Sequence, residues 1–181
     1  MYTICPARPQ HLFALPTIEL AAARLLVEHA PESVLTETTT AAEFELAMVE
    51  GHLWVALAGD VPVGFAHIEL LEAGRAHLRE IDVLPEHGRR GIGARLVEAV
   101  CDWAQDAGFE AVTLTTFREV PFNMPFYAKM GFAEIAEEES SDTLRAILAD
   151  EAERGLDPTK RVAMWRRFAV IRKEILRHQG S

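Results

Sequence analysis

The stretch from His77 to Gly108 constrains the fold most tightly. A strand-like segment over residues 77–84 ends at Pro85, a turn rich in glycine and arginine follows (Gly88-Arg89-Arg90-Gly91-Ile92-Gly93), and the hydrophobic period then becomes that of a helix. Over residues 91–107, Ile92, Leu96, Val97, Val100 and Ala104 form one stripe, and Gly108 stands where a C′ glycine belongs. A long helix with one apolar stripe, joined tightly to a strand, implies helices layered on a sheet. Three glycines let the backbone turn sharply and approach a ligand, while free N–H groups at the helix start point at an anion. The helix dipole and Arg89, Arg90 or Arg95 add positive potential, so the turn is a seat for a phosphate. Its G-x-x-G-x-G spacing is not the G-x-G-x-x-G of a dinucleotide site, and no G-K-[ST] marks a P-loop. A purely structural connection is the alternative.

On either side the chain alternates strand and helix signals, with no internal repeat and no long linker. A strand is expected over residues 2–6 and a helix over 17–29, where Ile18, Ala21, Ala22, Leu25 and Leu26 keep helical spacing. A second helix over 40–49 opens with Thr40 and Glu43 spaced as a capping box. Residues 53–58 and 62–70 read as a hairpin about Gly59-Asp60, with 77–84 the third strand. After the long helix come a strand over 111–117, a short helix over 125–130 closed by Gly131, and a strand over 132–136. A helix over 143–154, a strand from 161 to 165 and a terminal helix over 168–177 complete the list. This is an α+β plan: one domain over 1–181 with a mixed central sheet flanked by helices, its core in 1–138 and a C-terminal helix, strand and basic tail in 139–181.

At 181 residues, 49% hydrophobic and 25% charged, with mean hydropathy +0.04, the chain is not globally disordered. Eighteen basic against 28 acidic residues leave a net charge of -10, which disfavours nucleic acid as the main partner and favours cationic ligands. The charge is uneven: residues 159–181 hold 7 of the basic residues and 1 of the acidic ones. The simplest account has this tail packing back on Glu137, Glu138 and Glu139. Cys5 and Cys101 stand far apart, no apolar leader opens the chain and no long apolar run crosses a membrane, so a cytoplasmic protein without a membrane partner is expected. The 7 histidines lack ligand spacing, so no metal is expected.

Two motifs together carry a family resemblance. Gly88-Arg89-Arg90-Gly91-Ile92-Gly93, preceded by Val83 and Pro85, is similar to the Q/R-x-x-G-x-G/A signature of the GNAT superfamily of acyl-CoA-dependent N-acetyltransferases. Phe126-Tyr127-Ala128-Lys129-Met130-Gly131-Phe132 resembles that superfamily's second signature, an aromatic-Tyr pair followed by x-x-x-Gly-Phe. The resemblance covers residues 2–138. It implies acetyl-CoA as co-substrate, with its pyrophosphate on the backbone of Gly88, Arg89, Arg90, Gly91, Ile92, Gly93 and Ala94. Two positions depart from the pattern: Gly88 stands at the Gln/Arg position, and Val120 replaces an asparagine, with Asn123 nearby. Asn123 either contacts the pantetheine arm or caps the short helix.

Acetyl transfer to an amine needs a neutral amine, a stabilised oxyanion and a proton for the departing thiolate. Tyr127 matches the family position whose hydroxyl lies near the sulfur; a core aromatic is the alternative. By resemblance, backbone amides near Asp82, Val83 and Leu84 hold the thioester and pantetheine where the fourth and fifth strands splay. Strand alternation sets Glu80 and Asp82 opposite Ile81 and Val83, making Glu80 the first choice of base, against a solvated carboxylate paired with Arg79 or Arg118. Phe122 and Glu119 are expected in the substrate pocket, Phe117 in packing, and Cys101 as a buried small hydrophobe.

The leading function is direct transfer of acetyl from acetyl-CoA to a primary amine of a small molecule. A protein or peptide acetyltransferase and a non-catalytic acyl-CoA-binding regulatory domain are alternatives. Trp165 and the tail residues Phe168, Ile171, Ile175 and Leu176 either cover the domain's own sheet or support a homodimer.

Overall fold

The computed structural model describes residues 1–169, so most of the terminal helix expected over 168–177, and with it Ile171, Ile175 and Leu176, lies outside the described residues. The chain runs β1 (Tyr2–Pro6), α1 (Leu15–Ala23), α2 (Glu32–Leu35), α3 (Ala41–Val49), β2 (Leu53–Ala58), β3 (Val61–Glu72), β4 (Arg75–Val83) and α4 (Ile92–Asp106). It continues through β5 (Ala111–Phe117), α5 (Met124–Lys129), β6 (Ala133–Glu134), α6 (Asp142–Glu153) and β7 (Arg161–Arg167). The strands form one mixed sheet in the order β1-β2-β3-β4-β5-β7-β6, with β4 and β5 its parallel pair. The parallel pair is joined by α4, as a crossover requires.

The stripe on α4 behaves as its spacing predicts. Ile92, Leu96, Val97, Val100 and Ala104 are all buried, and Cys101 joins them at 1% exposure. They pack on the sheet face carrying Ala56, Ala66, Ile68, Ala76, Leu78, Val112 and Leu114. The opposite face is covered by α1 and α3, whose Leu15, Ile18 and Phe44 meet Leu53, Val55 and Phe65. Farther along that face Leu144 of α6 packs with Ala111, Ile135, Ala163 and Trp165. Trp165 is therefore covered by its own chain, and Phe168 packs at the edge of the main core.

Local signals hold where they rest on hydrogen bonds. The Glu43 N–H donates to the Thr40 hydroxyl (3.3 Å) and the Thr40 N–H to the Glu43 carboxylate (2.8 Å), completing the capping box. Two boundaries move. The first helix ends at Ala23 and continues as a tighter 3-10 turn over Arg24–Leu26, leaving Leu25 and Val27 exposed, so the apolar spacing that extended it to residue 29 does not mark a core face. The strand expected over 132–136 shrinks to Ala133–Glu134, an edge strand paired with β7 alone, while Phe132 and Ile135 turn into the two cores.

One irregularity shapes the site. The β3–β4 register passes from His67↔Glu80 to Ile68↔Leu78, leaving Arg79 as the extra residue of a bulge. The bulge reverses the strand's phase. Ala76 and Leu78 before it, and Ile81 and Val83 after it, all face the α4 core, while Glu80 and Asp82 face the other way.

Candidate active site

The β4–β5 ladder pairs Arg75, Ala76 and His77 with Ala111, Val112 and Thr113, and stops there. Beyond it β4 keeps to β3 and β5 keeps to β7, so the two strands part. A cleft of about 900 Å³ opens between them on the α1 and α6 side, lined by Glu19, Thr39, Glu80, Asp82, Thr115, Phe117, Asn123, Tyr127, Glu151 and Arg161 among others. Glu80, Asp82, Tyr127 and Asn123, singled out from the sequence, thus meet at one place.

The glycine turn lies beyond the cleft, past the end of β4. Gly91 is the N-cap of α4 in the left-handed conformation (φ 76°), and no side chain caps the helix start. Arg89 also has positive φ (58°), which only few non-glycine residues adopt. The N–H groups from Arg89 to Ala94 have no hydrogen-bond partner among the described residues. The Arg90 guanidinium donates to the Tyr2 hydroxyl (2.8 Å), itself 3.0 Å from His87 Nδ1, and Arg95 donates to the Tyr2 carbonyl (2.9 Å). Two of the arginines are thus tethered to β1 with their charge kept at the turn. Gly93 brings the two motifs together, since a Cβ there would meet the Phe126 ring at 3.6 Å.

Of the three backbone positions expected to hold the thioester, Leu84 is committed elsewhere, because its N–H donates to the Val63 carbonyl (2.9 Å). N–H groups along a strand alternate between its two neighbours, which directs Asp82 toward β3 as well and Val83 toward the side that β5 has vacated. Val83 is the position with an amide to offer.

Tyr127 is 6% exposed, stacked edge-on against Phe126 and Phe132 at centroid distances of 5.1 and 5.7 Å, and it lines the cleft. Burial, and next the nearby Asp82 charge, push its phenol above the usual range, so it is a proton donor at any ordinary pH. Asn123 does not cap α5 with its side chain; its carbonyl accepts from the Phe126 and Tyr127 N–H groups. Its amide nitrogen is buried without a partner among the described residues. Val120, at the position of the missing asparagine, is core, packed with Phe117 and Leu156.

Glu80 is half-buried and pairs with neither Arg79 nor Arg118. Arg79 reaches Glu69 (2.8 Å) and Glu43 (3.4 Å), and Arg118 holds Glu134 in a two-point contact. Burial first, then the neighbouring Glu19 charge, raise Glu80 to about 7. Asp82 is pushed well above its ordinary value by burial and by Glu80. Across the cleft, Arg161 makes a two-point contact with Glu151 (2.8 Å each) under the Phe117 ring, 4.4 Å from its centroid. That wall is charge-balanced, and the β4 wall is acidic.

Two of the expected residues stand apart from the cleft. Phe122 is 49% exposed and Glu119 is exposed, and neither lines the cleft; the chain after β5 turns them outward while Val120 turns in. Phe117, expected only to pack, supplies the aromatic wall instead. The described part of the basic tail also differs: Arg167 does reach Glu139, but Arg161 and Arg166 pair with Glu151 and Glu98. Glu19, Thr39 and the Glu151–Arg161 pair escaped the sequence reading. The one signal for Glu19 was a carboxylate beside Ile18 and four residues from Leu15, on the buried side of a helix.

Among solved structures, the chain is similar to a PaiA N-acetyltransferase from Thermoplasma acidophilum in complex with coenzyme A (TM-score 0.72, 16% identity, 93% of this chain and 99% of that one). It is also similar to the ribosomal-protein-S18-alanine N-acetyltransferase of Escherichia coli (0.62, 17%, 95% and 98%). A third is the N-acetylglutamate synthase of Neisseria gonorrhoeae complexed with coenzyme A and N-acetyl-glutamate (0.68, 18%, 93% and 35%). At these identities the likeness speaks for the fold. The sequence itself matches the model of the Acetyltransferase (GNAT) family over residues 20–132, a span that takes in both the glycine turn and Tyr127. With both signatures inside that match and the strands parting between them, the chain belongs to the GNAT acetyltransferase family.

Proposed function

We propose that this protein transfers an acetyl group from acetyl-CoA directly to the primary amine of a small molecule. The observation that carries this reading is the parting of β4 and β5, with an anion-seeking turn beyond the end of one strand and a proton donor beside carboxylates in the cleft. The pyrophosphate sits on the backbone N–H groups from Arg89 to Ala94, the Gly88 N–H being engaged by the Pro85 carbonyl (3.0 Å), with the charges of Arg89 and Arg90 beside them. Coenzyme A-bound relatives of the same fold support that seat. The pantetheine arm runs along β4 toward the Val83 N–H and the unpartnered Asn123 amide.

The acceptor arrives as an ammonium and must lose a proton before it can attack. Glu80, with its affinity near neutrality, takes that proton, directly or through a water. The amine nitrogen bonds to the thioester carbon, the carbonyl becomes an oxyanion, and the Val83 N–H faces it. Collapse of the intermediate breaks the C–S bond and restores the carbonyl; Tyr127 protonates the departing thiolate and regains a proton as the nitrogen, positively charged since the attack, gives up its second one. The carboxylates of the β4 wall favour a cationic acceptor. Leu26, Leu35, Leu156 and Phe117 line the cleft beside these carboxylates and suit an amine with an apolar body.

Calorimetry with coenzyme A and release of free thiol from acetyl-CoA, run over a panel of amines, test this. Micromolar binding with amine-dependent thiol release is expected. Binding without release on any amine would instead favour a regulatory acyl-CoA-binding domain.

A further inference from the structure

Behind Glu80 lies a second carboxylate that the chemistry above does not use. Glu19 of α1 is 7% exposed, and it has no cationic partner in contact among the described residues. It is held by Thr39, in the segment leading into α3: the Thr39 N–H donates to both carboxylate oxygens (2.9 and 3.0 Å), and the Thr39 hydroxyl lies 3.1 Å from Glu19 Oε1. The same hydroxyl is 3.3 Å from Glu80 Oε2. A hydroxyl has one proton to give and lone pairs to accept with. It cannot donate to two carboxylates at once, so the second contact becomes a hydrogen bond only when one of the carboxyls carries a proton. Glu19, gripped by two donors of Thr39, is the better-stabilised anion. The proton therefore belongs on Glu80.

We propose that Glu19 is a positioning residue for the base: its carboxylate keeps Glu80 basic and turns the Thr39 hydroxyl to accept a hydrogen bond from Glu80 once Glu80 has taken the acceptor's proton. This rests on Glu80 being the base. Proton and charge balance without another participant: Glu80 gains the proton, Thr39 keeps its own, and Glu19 stays ionised throughout. On β4, Asp82 shares a hydrogen bond with Glu80 that lowers the proton affinity of Glu80, as the charge of Arg79 does; Arg79 is engaged by Glu69 and Glu43, and the rise comes from burial and from Glu19. On β3, His67 stands opposite Glu80 in register and is kept neutral by burial, at about 4. Tyr127 of α5, beside Asp82, remains a neutral phenol. Burial raises Glu19 above its ordinary value as well, and the two Thr39 donors work against that rise, which leaves Glu80 the more strongly raised of the two carboxyls.

The test is the pH dependence of kcat/KM for Glu19→Gln, Thr39→Val and Glu80→Gln beside the parent, with Tm recorded for each. Glu19→Gln keeps an oxygen for both Thr39 donors and removes only the charge. Its acidic limb is expected to move down by about one pH unit. Thr39→Val removes the hydroxyl without changing any charge, and should move the limb the same way by a smaller amount with a several-fold loss of kcat. A Glu19→Gln limb superimposable on the parent's, while Glu80→Gln abolishes that limb, overturns the role of Glu19 and leaves Glu80 as base. If Glu19→Gln does not fold, an unmoved limb and unchanged kcat in Thr39→Val overturn it instead. A limb that survives in Glu80→Gln removes the base assignment and this proposal together.

Discussion

In the proposed reaction Tyr127 and Glu80 divide the proton chemistry, and their surroundings suit them to opposite tasks. Burial raises both, but a phenol raised above its usual range only donates, whereas a carboxyl raised to about 7 exchanges protons near neutrality. Tyr127→Phe is expected to lower kcat by about 10²-fold with the calorimetric affinity for coenzyme A unchanged. An unchanged kcat would take Tyr127 out of the mechanism. Glu80 also makes a prediction about stability. Its proton affinity in the folded protein exceeds the ordinary value of 4.5, so between about pH 4.5 and 7 the folded state binds more protons than the unfolded chain, and stability falls as pH rises through that window. Glu80→Gln stays neutral and should unfold at a higher temperature than the parent at pH 8, with little difference at pH 4. Equal Tm values at pH 8 would mean that Glu80 is not held against its charge.

At the scale of elements, α6 is tied into the sheet by an ion pair whose two sides are about nine-tenths buried, Arg161 of β7 and Glu151 of α6, with Thr115 of β5 bonded to the same carboxylate. Removing one partner strands the other charge, so Arg161→Met should cost about 3–5 kcal/mol in thermal or urea unfolding. The double variant with Glu151→Leu should recover most of that loss; a double variant as unstable as the single would show that the charges are not coupled. Gly91 offers a conformational test. A Cβ there meets nothing within 4 Å, so Gly91→Ala carries only the cost of φ 76°, about 1–2 kcal/mol. Those elements were legible because periodicity and punctuation agreed: the α4 stripe, the Thr40 cap and Gly108 each stood where the period changed. The bulge at Arg79 was not, because pairing depends on the partner strand, and alternation through Arg79 would have set Leu78 and Glu80 on one face. The outward turn of Glu119 and Phe122 was hidden for the same reason: a loop's direction is fixed by what its neighbours bury, here Val120 against Leu156.

For the molecule as a whole, the net charge of -10 opposes an anionic co-substrate, and in the proposed reaction the glycine turn offsets that opposition locally. The two substrates should therefore respond differently to salt. KM for a cationic acceptor is expected to rise several-fold between about 0.02 and 0.3 M salt, as screening weakens its attraction to the β4 wall, while a neutral amine should show little change. A KM indifferent to salt for both would deny the acidic wall any part in recognition. The carboxylates brought together by α1, β4 and the Thr39 segment are far apart in sequence, so the whole fold is needed to make them a site. Initial rates of thiol release, with acetyl-CoA and the best amine varied against each other, test direct transfer within this cleft most plainly. Intersecting reciprocal plots, with no acetylated protein after incubation with acetyl-CoA alone, are the expected result. Parallel plots with an acetyl-enzyme that an amine discharges, or no amine-dependent release at all, would contradict it.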